Sequence, residues 1–179
     1  MSDHMQVEKI NLIILSGPVG VGKTTVSEEL SGVLETDGIG HTLVDLDGLS
    51  KTYPRPKGDK FGEQIALKNL TDVWSNARGL GVKNLIIARV VESRASAERI
   101  AAAVGASTQF IIQLNASNTT LLARVRRREI GAARTWHEQR ALELSSKMRS
   151  CDVADIQLDT DGRTATEVAN EIRTIVSFA

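Results

Sequence analysis

The sequence predicts an α/β fold: a five-stranded, mostly parallel sheet between two layers of helices (three-layer α/β/α), in a single domain over residues 9–179. Three observations carry this expectation. Apolar runs of strand length alternate with helical patterns along the whole chain, as a parallel sheet with crossover helices requires. The first such run, residues 10–15, feeds a glycine-rich turn that opens into a helix. With 179 residues, 41% apolar and 25% charged, the chain can bury one substantial core, and no repeat or low-complexity tract divides it.

Each element follows from local signals. Residues 10–15 read as a buried strand, and residues 24–35 place Val26, Leu30, Val33 and Leu34 at helical spacing before Gly38 and Gly40 stop the helix. A second strand covers 41–46, and Pro54 and Pro56 make 53–59 a loop. Ile65, Leu67, Leu70, Val73 and Trp74 mark a helix that runs to about Arg78. Residues 84–91 form a buried strand, 93–104 a helix stopped by Gly105, and 109–114 a fourth strand. Ser117 or Asn118 caps a helix carrying Leu121, Leu122 and Val125. A polar stretch over 129–134, a helix over 135–148, a last strand over 153–158 and a closing helix over 164–176 complete the order. Residues 1–8 are polar and are expected as a flexible tail outside the domain.

Composition narrows the function classes. Lys plus Arg equals Asp plus Glu at 22 each, so no overall field favours nucleic acid or an anionic membrane. Cys151 is the only cysteine, which excludes an intramolecular disulfide and a thiol zinc cluster. No apolar run approaches the ~20 residues that cross a bilayer, and the N-terminal residues lack the apolar core of a signal peptide. A cytoplasmic monomer or homodimer with a small-molecule partner, and without membrane or nucleic acid, is the expectation.

Residues 17–24 read G-P-V-G-V-G-K-T and fit the phosphate-loop pattern G-x-x-x-x-G-K-[ST] at every fixed position. Glycines let successive backbone N–H groups form an anion nest, and the following helix adds partial positive charge at its start. Gly17, Pro18, Val19, Gly20, Val21, Gly22, Lys23, Thr24 and Thr25 are therefore expected to hold a nucleoside triphosphate, with Lys23 on the outer phosphates and Thr24 on Mg²⁺. Ligands of parallel sheets gather at the carboxyl ends of strands. There the second strand presents Asp45 and Asp47, which point the same way if the strand continues through them. One suits a metal and the other an attacking hydroxyl; a solvated turn is the alternative for Asp-rich sequence. At and beyond the end of the third strand come Arg89, Glu92 and Arg94. Glu92 is the nearest acid to a Walker B position, and Arg94 is a candidate substrate clamp, with a pair to Glu98 as its alternative. Arg124, Arg126, Arg127, Arg128 and Arg134 cluster beyond the fourth strand, with Arg124 and Arg128 one helical turn apart. They fit a lid over the nucleotide, formed by 129–134, better than a nucleic-acid patch. Trp136 and His137 are expected to pack the following helix, His41 to be structural, and Cys151 to be inert.

These segments together resemble the small-molecule kinases of the phosphate-loop NTPases: shikimate, gluconate, adenylylsulfate and nucleoside-monophosphate kinases, and chloramphenicol phosphotransferases. The resemblance spans about residues 10–176. It implies a nucleoside-monophosphate-kinase-like fold with a lid, ATP and Mg²⁺ as cofactors, and transfer of the γ-phosphoryl group to a hydroxyl of a metabolite or antibiotic. Asp45-Leu46-Asp47 is similar to the shikimate-kinase D-x-D. The turn from Asp47 resembles the antibiotic phosphotransferase segment whose aspartate is the base. By this resemblance Lys23, Asp47 and Arg128 are catalytic, Thr24 and Asp45 hold metal, and Asp45, Asp47 and Arg94 meet the substrate. Arg124 and Arg128 match the lid R-x-x-x-R that contacts adenine and phosphates, and Asp159-Thr160 resembles the adenine-side loop. No G-G-G follows the third strand, the G-H-F-M lid of gluconate kinases is replaced by Glu129-Ile130-Gly131-Ala132, and residues 50–78 fit none of these families. A nucleotide-binding regulatory or partner protein with little or no transferase activity is the alternative reading.

Overall fold

The protein is described by a computed structural model over residues 9–59 and 61–179, so the expected tail, 1–8, lies outside the described residues. The elements in chain order are β1 (Asn11–Ser16), α1 (Lys23–Thr36), β2 (His41–Asp45), α2 (Leu46–Leu49), α3 (Glu63–Arg78), β3 (Asn84–Ala88), α4 (Arg94–Val104), β4 (Thr108–Asn115), α5 (Asn118–Arg128), α6 (Ala132–Arg149), β5 (Ile156–Asp159) and α7 (Ala165–Ile175). The sheet order is β2-β3-β1-β4-β5 and every pairing is parallel.

β1 lies at the centre with all six residues buried, which is why its middle, Leu12 to Leu15, is continuously apolar rather than alternating. Its side chains nevertheless divide by the strand period. Ile13 and Leu15 join Leu30, Leu34, Leu114 and Ile172 beneath α1, α5 and α7, whereas Leu12 and Ile14 join Leu70, Trp74, Leu85 and Ile100 beneath α3 and α4. Each face of the sheet thus has its own helical layer, as expected. Trp74 is fixed within the second layer by its indole N–H, which donates to the Val104 carbonyl at 3.1 Å. No described helix is long and apolar enough to cross a membrane.

Three boundaries differ from expectation where they shape the site. β2 ends at Asp45, because the Asp45 side chain caps α2 by accepting from the Asp47 and Gly48 N–H groups. β3 ends at Ala88. The Val91 N–H donates to Ser16 Oγ at 2.9 Å, which draws the chain out of the ladder and across the end of β1. Half of the polar stretch expected over 129–134 is helix: α6 begins at Ala132, leaving Glu129, Ile130 and Gly131 between α5 and α6. The last strand likewise begins at Ile156, while Val153 is buried against the α3–α4 layer.

Candidate functional site

The loop between β1 and α1 owes its shape to glycine. Gly17, Gly20 and Gly22 have φ of 144°, 83° and 105°, a region that side chains disfavour. The loop is also pressed against its neighbours. A Cβ on Gly17 would stand 2.5 Å from the Leu114 carbonyl oxygen, and one on Gly20 would stand 2.8 Å from the Val125 side chain. Gly17→Ala is therefore expected to lower stability by about 2–4 kcal/mol in urea unfolding. A loss of less than ~0.5 kcal/mol, within the range of ordinary surface changes, would contradict the close approach to β4.

Lys23 opens α1 and folds back onto the loop, its Nζ donating to the carbonyls of Gly17 at 2.9 Å and Pro18 at 3.1 Å. Part of the residue remains exposed, but burial of the ammonium pulls its pKa down to about 8. Asp47 opposes that shift, Arg128 adds to it, and Asp45 opposes it. Thr24 Oγ1 donates to Asp45 Oδ2 at 3.4 Å, while Asp45 Oδ1 accepts from the Asp47 and Gly48 N–H groups at 3.0 and 3.3 Å. One carboxylate oxygen thus builds α2 and the other faces the loop. Thr24 and Asp45 together offer hard oxygen donors suited to Mg²⁺. No group of three or more His, Cys, Asp or Glu forms a metal cage among the described residues, so phosphate and water oxygens would complete the shell.

Asp47 reaches the site by a different route from the one expected. It lies in the first turn of α2 and does not continue β2, yet it still lines the same cavity as Lys23, Thr24 and Asp45. That cavity has a volume of about 670 Å³. A second one, of about 480 Å³, lies on the other side of the loop, bordered by Val21, Thr25, Arg124, Thr160 and Arg163. Arg128 lines both. Its side chain is 60% exposed, and its Nε donates to Glu129 Oε1 at 2.8 Å. Arg124 is more tightly held. Its guanidinium donates to the Val21 carbonyl at 2.8 Å, Thr160 Oγ1 at 2.9 Å and the Thr160 carbonyl at 3.1 Å, joining the glycine-rich loop to the turn after β5.

Other expectations are corrected. Arg94 borders neither cavity and does not pair with Glu98; it pairs with Asp155 at 3.0 Å, whose other oxygen accepts from the Ile111 N–H at 2.7 Å. A substrate clamp at Arg94 has no geometric support. Glu92 lines the larger cavity, but its oxygens are bound by Arg140 and by Lys147 Nζ. Burial pushes the Glu92 carboxyl up, but Lys147 and Arg140 outweigh it and hold it below the usual carboxylate range. Trp136 and His137 do not pack α6 onto the core. They border the larger cavity, with Trp136 58% exposed and the two rings edge to face at 4.9 Å. His41 is structural: Nε2 lies 2.7 Å from Ser31 Oγ and Nδ1 lies 2.9 Å from the Ile39 carbonyl. Cys151 packs, partly buried, against the α3–α4 layer.

Sequence reasoning missed Arg163 in the smaller cavity and Phe61 and Arg89 in the larger. Phe61 lies in the segment that matched no family. Arg89 left one trace: a charged residue inside the otherwise apolar run 85–91.

Fold and loop together define a phosphate-loop α/β domain, the class that cradles nucleoside phosphates at a helix N-terminus. Residues 13–155 match the AAA domain family, and the chain belongs to that family. No curated protein sequence matches it. Among solved structures, the tunicamycin resistance protein of Deinococcus radiodurans is similar at 19% identity and TM-score 0.62, over 96% of this chain and 98% of that one. Shikimate kinase from Acinetobacter baumannii, solved with shikimate, is similar at 21% identity and TM-score 0.59, over 94% of this chain and 93% of that one. The APS kinase of Mycobacterium tuberculosis, in complex with AMPPNP and APS, is similar at 20% identity and TM-score 0.59, over 93% and 97%. At these identities the likeness establishes the shared fold.

Proposed function

We propose that the protein is an ATP- and Mg²⁺-dependent kinase that transfers the γ-phosphoryl group to a hydroxyl of a small molecule. One observation carries this reading: Asp47, Lys23 and Thr24 border a cavity of about 670 Å³ that meets a separate cavity beside the glycine-rich loop at Arg128. A protein that only held a nucleotide would need the second space and not the first.

The roles follow from position. Backbone N–H groups of residues 17–22 hold the phosphates, Arg124 and Thr160 form the wall of the base side, and Lys23 leaves its loop carbonyls for the outer phosphates. Thr24 and Asp45 would hold Mg²⁺, which when bound neutralises phosphate charge and orients the transferring group. Asp47 takes the proton of the acceptor hydroxyl as its oxygen forms the new bond to phosphorus and the bond to the ADP oxygen breaks. Arg128, at the junction, lies against the charge in transit. A cytoplasmic location, where ATP is plentiful, belongs to the same reading.

The test is ADP release across a panel of hydroxylated metabolites, nucleosides and antibiotics. A kinase gives acceptor-dependent release; a flat low rate with every compound, despite tight ATP binding, would favour a regulatory protein instead.

The state of Lys23 adds a pH dependence. Its pKa of about 8 in the free protein rises when phosphate joins it, because opposite charge favours the protonated form. ATP affinity is therefore expected to be highest below pH ~8 and to weaken above it, with net proton uptake on binding. Calorimetric titrations at pH 7 and 9, in buffers of different ionisation enthalpy, measure both; equal affinity without proton uptake at pH 9 would rule this out.

A further inference from the structure

The larger cavity contains a charge that the proposed transfer does not use. The Arg89 backbone N–H donates to the Leu15 carbonyl at 3.1 Å as the chain leaves β3, and the residue is only 9% exposed. Its Nη1 is buried and meets no hydrogen-bond partner, and no carboxylate among the described residues pairs with it. Three of the four acids bordering this cavity are engaged elsewhere: Glu92 holds Arg140 and Lys147, Glu129 holds Arg128, and Asp45 holds Thr24 and the start of α2. The fourth, Asp47, forms no hydrogen bond with the buried Nη1 of Arg89. A guanidinium stays ionised at every accessible pH, and a buried charge without a counter-charge is costly. Such a group is completed by an anion from outside, for which its planar fork of donors is suited. The same cavity is bordered by two large apolar faces held toward solvent, Trp136 at 58% and Phe61 at 70% exposure.

We infer that the acceptor is an oxyanion: a hydroxylated compound whose carboxylate or phosphate pairs with Arg89 and whose ring or other apolar body lies against Trp136 and Phe61. This rests on the kinase reading for the word acceptor, but the binding site stands on its own geometry. It places at Arg89 the clamp that the sequence assigned to Arg94. It also disfavours neutral antibiotics as substrates.

Fluorescence tests it, since the chain has two tryptophans and only Trp136 faces the cavity; Trp74 is 2% exposed in the α3–α4 layer. With a non-hydrolysable ATP analogue and Mg²⁺ occupying the glycine-rich loop, the protein is titrated with benzoate, phenyl phosphate and the neutral match benzamide. One or both anions should change the emission saturably and bind at least about tenfold more tightly than benzamide. Comparing benzoate with phenyl phosphate tells which oxyanion is preferred. Arg89→Gln should bring the anions to the benzamide level, Arg89→Lys should keep part of the preference, and Trp136→Phe should remove the signal. Circular dichroism checks that each variant is folded, and Arg89→Met replaces Arg89→Gln if that one is not. Equal affinity for anion and amide in the unaltered protein, a preference that survives Arg89→Gln, or no saturable binding of either anion overturns the inference. Binding without ADP release from any hydroxylated anion would instead keep the site and remove the kinase reading. Efficient phosphorylation of neutral alcohols alone would do the reverse.

Discussion

Lys23→Ala is expected to abolish measurable phosphoryl transfer while leaving the protein at least as stable as before. The two halves of that result have one cause. Lys23 sits with its ammonium desolvated and its pKa drawn down to about 8, donating to the Gly17 and Pro18 carbonyls. Holding a charge there in the free protein is unfavourable, so its removal should not lower the melting temperature. The cost returns as function, because in the proposed transfer the same ammonium stabilises charge on the phosphates. Loss of one such group from a water-poor site lowers turnover by on the order of 10²–10³; weakened ATP binding lowers the observed rate further. Acceptor-dependent ADP release, a nucleotide titration and a thermal melt on the same preparation measure all three quantities. Turnover within about tenfold of the unaltered protein would remove Lys23 from the chemistry.

Asp47→Asn should separate binding from chemistry. Asp47 contributes its backbone N–H to the Asp45 cap and its carbonyl to the Ser50 hydroxyl, and neither contact involves its carboxylate. The change to Asn should therefore preserve α2 and the ATP affinity near neutral pH. It removes the proposed base, and a positioned general base is worth about 10²–10⁴ in rate. A second consequence follows from the charges around Lys23. Asp47 is the strongest of the influences that raise the Lys23 pKa, so its neutralisation should move the alkaline fall in ATP affinity to lower pH. A variant with unchanged turnover would exclude Asp47 as the base. One with lost turnover but no movement of the pH limb would exclude the Asp47–Lys23 coupling.

The fold was largely legible because its signals are local. A strand buried on both faces, such as β1, carries an unbroken apolar run through its middle, and the turn that follows it requires glycine where φ is positive, so both are recorded in adjacent residues. One capping signal was equally readable: of the two candidates Ser117 and Asn118, Ser117 caps α5. The reciprocal cap of Thr164 and Glu167 at the start of α7 was not read from the sequence, although its residues are as local. The errors arose where a side chain chose between local structures. At Asp45 the carboxylate satisfies two N–H groups of α2 and ends the strand one residue early, and Ala132, Ala133 and Arg134, read as part of the polar stretch, extend α6 because alanine and arginine are good helix formers.

The candidate site was legible in part for the same reason. Lys23, Thr24, Asp45 and Asp47 follow strand ends that the alternation of elements had already located, and they do share one cavity. Arg94 was misread because its partner, Asp155, is 61 residues away. Glu92 could not be judged without Arg140 and Lys147, which α6 brings back across the sheet end. By itself, the sequence determined the sheet, the glycine-rich loop and the chemistry that loop can hold, because backbone conformation and burial impose those residue types at short range. Only the tertiary structure decided which charges are neutralised and which are not, because that depends on distances between distant segments. It paired Arg94, Arg140 and Lys147 with acids and left Arg89 without one among the described residues, at the cavity proposed to hold the acceptor.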